Sequence, residues 1–219
     1  MGPVTDRVKR DYDASNRQAD SAATRARIID AARGLFTRQG YRATTIHQIA
    51  AGADVHVDTV YRLVGRKAVV LRELIEQAIS GTDRAVPAEE RDYVVALKAE
   101  ADPGRKIAIY ASAMSRIQPR MAPLLAALDD ASRTEAEAAE VWQSVADRRA
   151  ANMRRFVEEL RQAGGLRPGL TVAEAADTVW ATNSPELYLM LVRHRGWTPE
   201  QYEAWLADLW AAYLLPGPG

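Results

Sequence analysis

Few residues in this 219-residue chain are equipped for covalent or metal chemistry. There are three histidines, His47, His56 and His194, and no cysteine, so a thiolate can serve neither as nucleophile nor as metal ligand. No Glu-x-x-His pair, glycine-rich phosphate loop or Gly-x-Ser-x-Gly elbow occurs. Gly164-Gly165 and Pro168-Gly169 read as helix punctuation. An enzyme is not indicated, and neither a cofactor nor a metal is expected. What the chain concentrates is positive charge. Its formal net charge is zero, yet residues 22–70 hold eight Lys/Arg against three Asp/Glu. Duplex DNA is a dense line of phosphates, and cationic side chains gain affinity by releasing its counterions. Many surfaces carry such an excess for solubility alone, so the charge needs a motif.

The elements that must position these residues are helical. Apolar residues recur at helical spacing and no alternating run lasts, so an all-α chain is expected. The first 21 residues are polar and read as a flexible arm. A first helix over about 22–39 carries Ile28, Ala32, Leu35 and Phe36 on one stripe and stops at Gly40. Thr45-Ile-His-Gln48 fits a capping box opening a short second helix. After a turn at 52–56, a third helix sets Val57, Val60, Tyr61 and Val64 at i, i+3, i+4 and i+7, and Gly65 interrupts it. A fourth spans about 66–80. Further helices are expected near 88–100, 103–118 and 121–129. Ser132-Arg-Thr-Glu135 reads as a second capping box, opening a long helix that reaches Ala163. Thr171-Val-Ala-Glu174 is a third box, heading a helix toward Arg195 that is interrupted near Pro185. Thr198-Pro199 starts a last helix to about Leu214. With 47% hydrophobic and 26% charged residues, the chain has a globular profile. It lacks both a run of the ~20 apolar residues that crosses a bilayer and a signal-peptide core. No membrane partner and a cytoplasmic location are expected.

Two short helices around a tight turn, braced by helices on either side, outline a helix-turn-helix. The run from Thr24 to Leu71, TRARIIDAARGLFTRQGYRATTIHQIAAGADVHVDTVYRLVGRKAVVL, resembles the TetR family of bacterial repressors. The likeness rests on Leu35-Phe36, Gly40-Tyr41, Thr44-Thr45, Ile49-Ala50, Ala53, Val55, Thr59, Tyr61 and Lys67, without a gap. Asp54 stands where the family has Gly, and Asp tolerates the left-handed conformation better than most residues. His56 replaces a Ser, and Leu63 and Val64 replace His and Phe. The resemblance implies that Leu63 removes one phosphate contact and that Val64 leaves a smaller core plug. The resemblance implies a DNA-facing set of Arg42, Thr44, Thr45, His56, Val57, Asp58, Thr59, Tyr61, Arg62 and Lys67. His56 to Thr59 fall on the first turn of the third helix, where such motifs meet base edges. Val57 and Thr59 suit thymine methyls, and Asp58 suits cytosine N4. Several residues carry two readings: Thr45 as helix cap or phosphate contact, and Asp58 as base reader or helix-end charge. Tyr61 reads as a phosphate contact or a ring packed on the first helix, and Lys67 as a phosphate contact or a solvated lysine.

The resemblance also divides the chain: an arm over 1–21, a DNA-binding domain over 22–66, a connecting fourth helix over 67–84, and an effector-binding and dimerisation domain over 85–215. Polar residues set into apolar stripes nominate Tyr110, Met114, Trp142, Asn152, Phe156, Trp180 and Asn183 for an effector cavity. An aromatic stripe equally suits plain core, and Asn183 equally suits carbonyls freed at the Pro185 break. Surplus apolar surface on the last helices nominates Leu187, Trp205, Leu209 and Tyr213 for a two-fold dimer, against burial within one chain. The expected function is a homodimeric repressor released from a palindromic DNA operator by a small, largely apolar effector. The alternative is a helical ligand-binding or interaction protein that has lost specific DNA binding.

Overall fold

The computed structural model describes residues 4–82 and 86–217, and among these every regular element is helical. The chain divides into two compact units, Met1–Leu74 and Ile75–Gly219.

The first unit is built on α1 (Val4–Ala43), α2 (Ile46–Gly52), α3 (Val57–Leu63) and the start of α4 (Lys67–Ser80). The backbone is helical from Val4, where the sequence suggested an arm. No glycine or proline lies between residues 4 and 33, so nothing in that stretch breaks a helix. Gly40 does, at φ 76°, a left-handed value that ends the straight part of α1. Ile28, Ile29, Ala32 and Phe36 of α1 are buried with Ile46, Ile49 and Ala50 of α2 and Val60 of α3. Each of these Ile, Val and Phe side chains contributes about 1.5–3 kcal/mol on leaving water. Phe36 stacks on Tyr41 at 5.7 Å and closes this core across the Gly40 break.

The second unit contains the rest of α4, a 3-10 turn at Ala88–Glu90, α5 (Asp92–Ala99), α6 (Pro103–Ser132), α7 (Ala136–Gln162), α8 (Val172–Thr182), α9 (Pro185–Leu189) and α10 (Pro199–Leu214). One five-residue π-turn, Met190–His194, follows α9. The helix α6 lies against α5, α7, α9 and α10, and α7 against α8. Here α6 runs unbroken where the sequence suggested two helices. Pro119 and Pro123 sit inside it with exposed rings, each forgoing one hydrogen bond of the helix ladder. The expected box at Ser132–Glu135 is not formed. Ser132 ends α6, its hydroxyl donating to the Asp129 carbonyl at 2.7 Å, and α7 starts from Glu135 without a side-chain cap. The boxes at Thr45 and Thr171 form as expected, and the helix start expected at Thr198-Pro199 forms with Gln201 closing a further box on Thr198. No helix is long and apolar enough to cross a membrane among the described residues.

A tight point in this unit yields a stability prediction. Gly165 is buried, and a Cβ there would stand 2.2 Å from Cβ and 2.5 Å from Cγ of Pro103. Proline is stiff and opens α6, so it cannot turn aside. Gly165→Ala is expected to cost about 1–3 kcal/mol or more, read as a lower midpoint of thermal unfolding. Gly164→Ala is the comparison: its Cβ meets nothing within 4 Å, and only its φ of 74° opposes it.

Candidate functional site

The helix-turn-helix is assembled from local signals that can be followed residue by residue. Thr45 has extended backbone, its hydroxyl accepts from the Gln48 amide at 3.2 Å, and Gln48 Oε1 accepts from the Thr45 amide at 2.9 Å. Four residues, Ala53 to His56, then turn the chain into α3. Asp54 carries φ 53° and supplies the left-handed step. His56 is the N-cap of α3 but makes no side-chain capping bond, so its exposed imidazole is not consumed by the helix. Val60 points fully inward. The opposite face of α3 therefore presents exposed His56, Asp58, Tyr61 and Arg62, flanked by half-buried Val57 and Thr59. Tyr61 is 49% exposed, so the packed-ring reading is not realised. Arg42 is exposed just ahead of α2.

Two members of the expected set are placed differently. Thr44 is buried, and its hydroxyl donates to the Gly40 carbonyl at 2.8 Å. It stabilises the bend rather than facing outward, which corrects its inclusion among surface contacts. Lys67 is half-buried at the start of α4. Its Nζ lies 3.9 Å above the Tyr41 ring and donates to the Tyr41 carbonyl at 3.3 Å. It is therefore not a freely solvated lysine; an ammonium has three donors, so this anchoring is compatible with an outward contact as well. Sequence reasoning missed Arg25. Its guanidinium pairs with Glu73 of α4 and donates to the Leu63 carbonyl at 3.2 Å, tying the end of α3 to α4.

Within the second unit lies a cavity of about 620 Å³. Its apolar wall comes from Tyr93, Val94 and Leu97 of α5, Tyr110 of α6, Phe156 of α7 and Val172 at the start of α8. Asn152, Arg154, Arg155, Glu158 and Glu159 line it from α7, and Glu89 and Lys98 from the α5 side. Tyr110 sits in an aromatic stack, 4.4 Å from Phe156, 5.7 Å from Trp210 and 5.9 Å from Tyr93. Burial holds its phenol well above the usual tyrosine range, and its hydroxyl faces Met153 Sδ at 3.4 Å. It works as a neutral wall. Buried Lys106 stands beside the cavity, donating to the Leu97 carbonyl at 2.7 Å and pairing with Glu159 at 3.4 Å.

Of the residues nominated from sequence, Tyr110, Asn152 and Phe156 meet at this cavity, while Met114, Trp142, Trp180 and Asn183 do not line it. Met114 is buried core. Trp180 lies under the Arg149 guanidinium at 5.2 Å, and Trp142 is half-buried on α7. Asn183 is buried, its carbonyl accepting from Gln118 Nε2 at 3.0 Å and from Arg149 at 2.9 Å. The carbonyls freed before Pro185 are thus taken by Gln118 and Arg149. The missed residues on α7 were within reach of the same periodicity, since Arg155 and Glu159 are three and seven positions from Asn152. Ala88 and Glu89, expected inside a helix over 88–100, instead form a 3-10 turn ahead of α5, and nothing in the sequence placed them at a cavity. On α10, Tyr202, Leu206, Trp210 and Leu214 are fully buried, whereas Trp205, Leu209 and Tyr213, like Leu187 of α9, are half-buried in the single chain.

The first unit has the architecture of a helix-turn-helix DNA-binding domain. Residues 28–74, about a fifth of the chain, match the family described as bacterial regulatory proteins of the tetR family. Over 69 residues the chain is 36% identical to an uncharacterized HTH-type transcriptional regulator, YvkB, of Bacillus subtilis, covering 32% of this chain and 36% of that protein. The matched stretch thus spans about a third of the curated relative. Two solved structures share the fold over nearly the whole chain. The fatty acid degradation regulator FadR of Bacillus halodurans has a TM-score of 0.66 at 16% identity, covering 86% of this chain and 94% of its own. The transcriptional regulator FadR of Bacillus subtilis, in complex with stearoyl-CoA, has a TM-score of 0.66 at 19% identity, covering 85% and 97%.

Proposed function

We propose that the protein is a dimeric repressor that binds a near-palindromic operator through α3 and is released from it by a small effector held in the α5–α7 cavity. The observation that carries the DNA half is the outward face of α3. His56, Asp58, Tyr61 and Arg62 are exposed there while Val60 anchors the helix from behind. Val57 and Thr59 would complete the base-reading edge, with Arg42, Thr45 and Lys67 positioning the backbone through phosphates. Contacts of the second kind orient without specifying sequence. The effector half is supported by a cavity in the 300–1,000 Å³ range usual for small-molecule sites, and by a related fold that holds stearoyl-CoA in FadR.

The proposed link between the two is α4, which runs without interruption from Lys67 to Ser80. Near its start Lys67 and Glu73 hold Tyr41 and Arg25. One turn further on, Glu76 is gripped by Arg91 at 3.6 Å and by Arg148 at 2.6 Å. Arg91 is the N-cap of α5 and Arg148 belongs to α7, the two helices that furnish most of the cavity wall. An effector that shifts either helix would pull on Glu76 and tilt α4. Two recognition helices of a dimer reach successive major grooves only at a spacing of about 34–36 Å, so a tilt would end simultaneous engagement.

Footprinting on DNA recovered from the genome by the protein tests the first half. Protection of two symmetric half-sites about one helical turn apart is expected. Protection confined to one half-site contradicts the dimeric reading.

A further inference from the structure

The charges around the cavity are unequally satisfied. Three carboxylates line it, and each is already engaged: Glu89 by Arg155 at 3.5 Å, Glu159 by Lys106 at 3.4 Å, and Glu158 by Arg161 at 3.0 Å. Lys106 and Arg161 are not part of the wall, so two of the acids are neutralised from behind it. Arg161 and Gln162 hold the Glu158 carboxyl down to about 2, so it stays ionised and occupied at any working pH. Among the described residues, lining Lys98 and Arg154 have no ion-pair partner and stand exposed to water at the cavity's edge. Asn152 Oδ1 accepts from Arg155 at 3.1 Å, which leaves its amide N–H groups to donate to an incoming oxygen.

An apolar and aromatic wall under two uncommitted cations suits one kind of molecule. Its body would be buried against Tyr93, Tyr110, Phe156 and Val172, and its head would carry negative charge. An aromatic wall can also hold a quaternary ammonium through its ring faces. Here Tyr110 already has three aromatic neighbours within 6 Å of its centroid, and an ammonium head would meet Lys98 and Arg154 as like charges. We infer that the effector is an amphipathic organic anion, its hydrocarbon or aromatic body against the Tyr93–Tyr110–Phe156 wall and its carboxylate-class head at Lys98 and Arg154. This rests on the proposed role of the cavity as the effector site.

The test titrates the full chain, by calorimetry below micelle-forming concentrations, with three probes sharing one tail: dodecanoate, dodecyltrimethylammonium and dodecanol. Dodecanoate is expected to bind at least about ten-fold more tightly than the other two, the size of one hydrogen bond to a charged group. Its advantage should shrink with added salt. The double variant Lys98→Gln, Arg154→Gln should bring dodecanoate down to the level of dodecanol without changing dodecanol itself. Equal or tighter binding of the alcohol or the ammonium, weakened by Tyr93→Ala, overturns the anionic class while the cavity stands as the effector site. Binding of any probe that neither the double variant nor Tyr93→Ala alters puts the ligand elsewhere and overturns both readings. No binding of any of the three overturns the inference as well.

Discussion

The paired substitution Trp205→Glu, Leu209→Glu is expected to turn the protein from dimer to monomer at micromolar concentration and to weaken operator binding by about 10²–10⁴-fold. That factor is what linking two half-site contacts contributes through effective concentration alone. The helix α10 has two apolar faces. One is filled within the chain: Tyr202, Leu206, Trp210 and Leu214 are fully buried, and the Trp210 indole donates to Thr182 Oγ1 at 2.8 Å. The other keeps Trp205, Leu209 and Tyr213 only half-covered, near a π-turn whose Met190 is 48% exposed. Carboxylates on the second face would have to be desolvated in a two-fold interface and would face their own symmetry mates. Within the chain Trp205 also meets the rings of Trp197 at 5.9 Å and Tyr202 at 6.1 Å, so the monomer should remain folded with a thermal midpoint below that of the parent measured at high dilution. Sedimentation decides the matter, and an unchanged dimer mass would remove α10 from the interface.

The second large effect concerns release. Coupling between two sites typically amounts to about 5–150-fold in affinity, and Glu76→Gln is expected to reduce effector-induced loss of operator affinity to less than about two-fold. Glu76 is largely shielded, at 17% side-chain exposure, and receives Arg91 and Arg148 together. Glutamine keeps the shape but gives up both ion pairs, so α4 no longer follows α5 and α7. Operator binding without effector and effector binding without operator should each survive. Because linkage is reciprocal, saturating operator should also cease to weaken the effector in this variant. Full release by effector in Glu76→Gln would assign the coupling to other residues.

How much of this could be read from residues alone depends on how local the signal was. Thr45 with Gln48, Thr171 with Glu174 and Thr198 with Gln201 each define a helix start within four residues, and all three boxes form. Ser132 with Glu135 has the same pattern and fails, because the apolar residues Leu124, Leu125, Leu128 and Ala131 keep α6 packed through that point. Packing overrode the cap. Asp54 was legible as a left-handed turn residue. Thr44 was not legible as buried, since only the bend at Gly40 turns its hydroxyl inward. In the second unit, Asn152 and Phe156 share a helical stripe and do meet at the cavity, whereas Trp142 lies on the same stripe beyond it. A period states which side of a helix is covered, and not where along the helix a neighbour leaves space. Phe156 is at once wall and core, 3% exposed. Phe156→Ala would cost about 3–5 kcal/mol of stability, which makes half-buried Tyr93 the cleaner probe of the cavity. Arg25 and Glu76 were invisible because their partners lie 48 residues away in one case and up to 72 in the other.

Whether α3 and its flanks read and grip duplex DNA is decided by binding as a function of salt. Parent, Lys67→Ala and Thr59→Ala proteins would be titrated onto the recovered operator, onto single-base variants of it and onto an unrelated duplex. For the parent, affinity should fall steeply and linearly with salt on logarithmic axes, with the operator held more tightly than the unrelated duplex. Lys67→Ala should weaken every duplex about equally and lower the slope by about one for each phosphate that is no longer neutralised. Thr59→Ala should act unequally, altering the ranking of the operator variants. Absence of salt-dependent binding to any duplex by the folded parent would contradict the account and leave a helical ligand-binding protein that no longer recognises DNA.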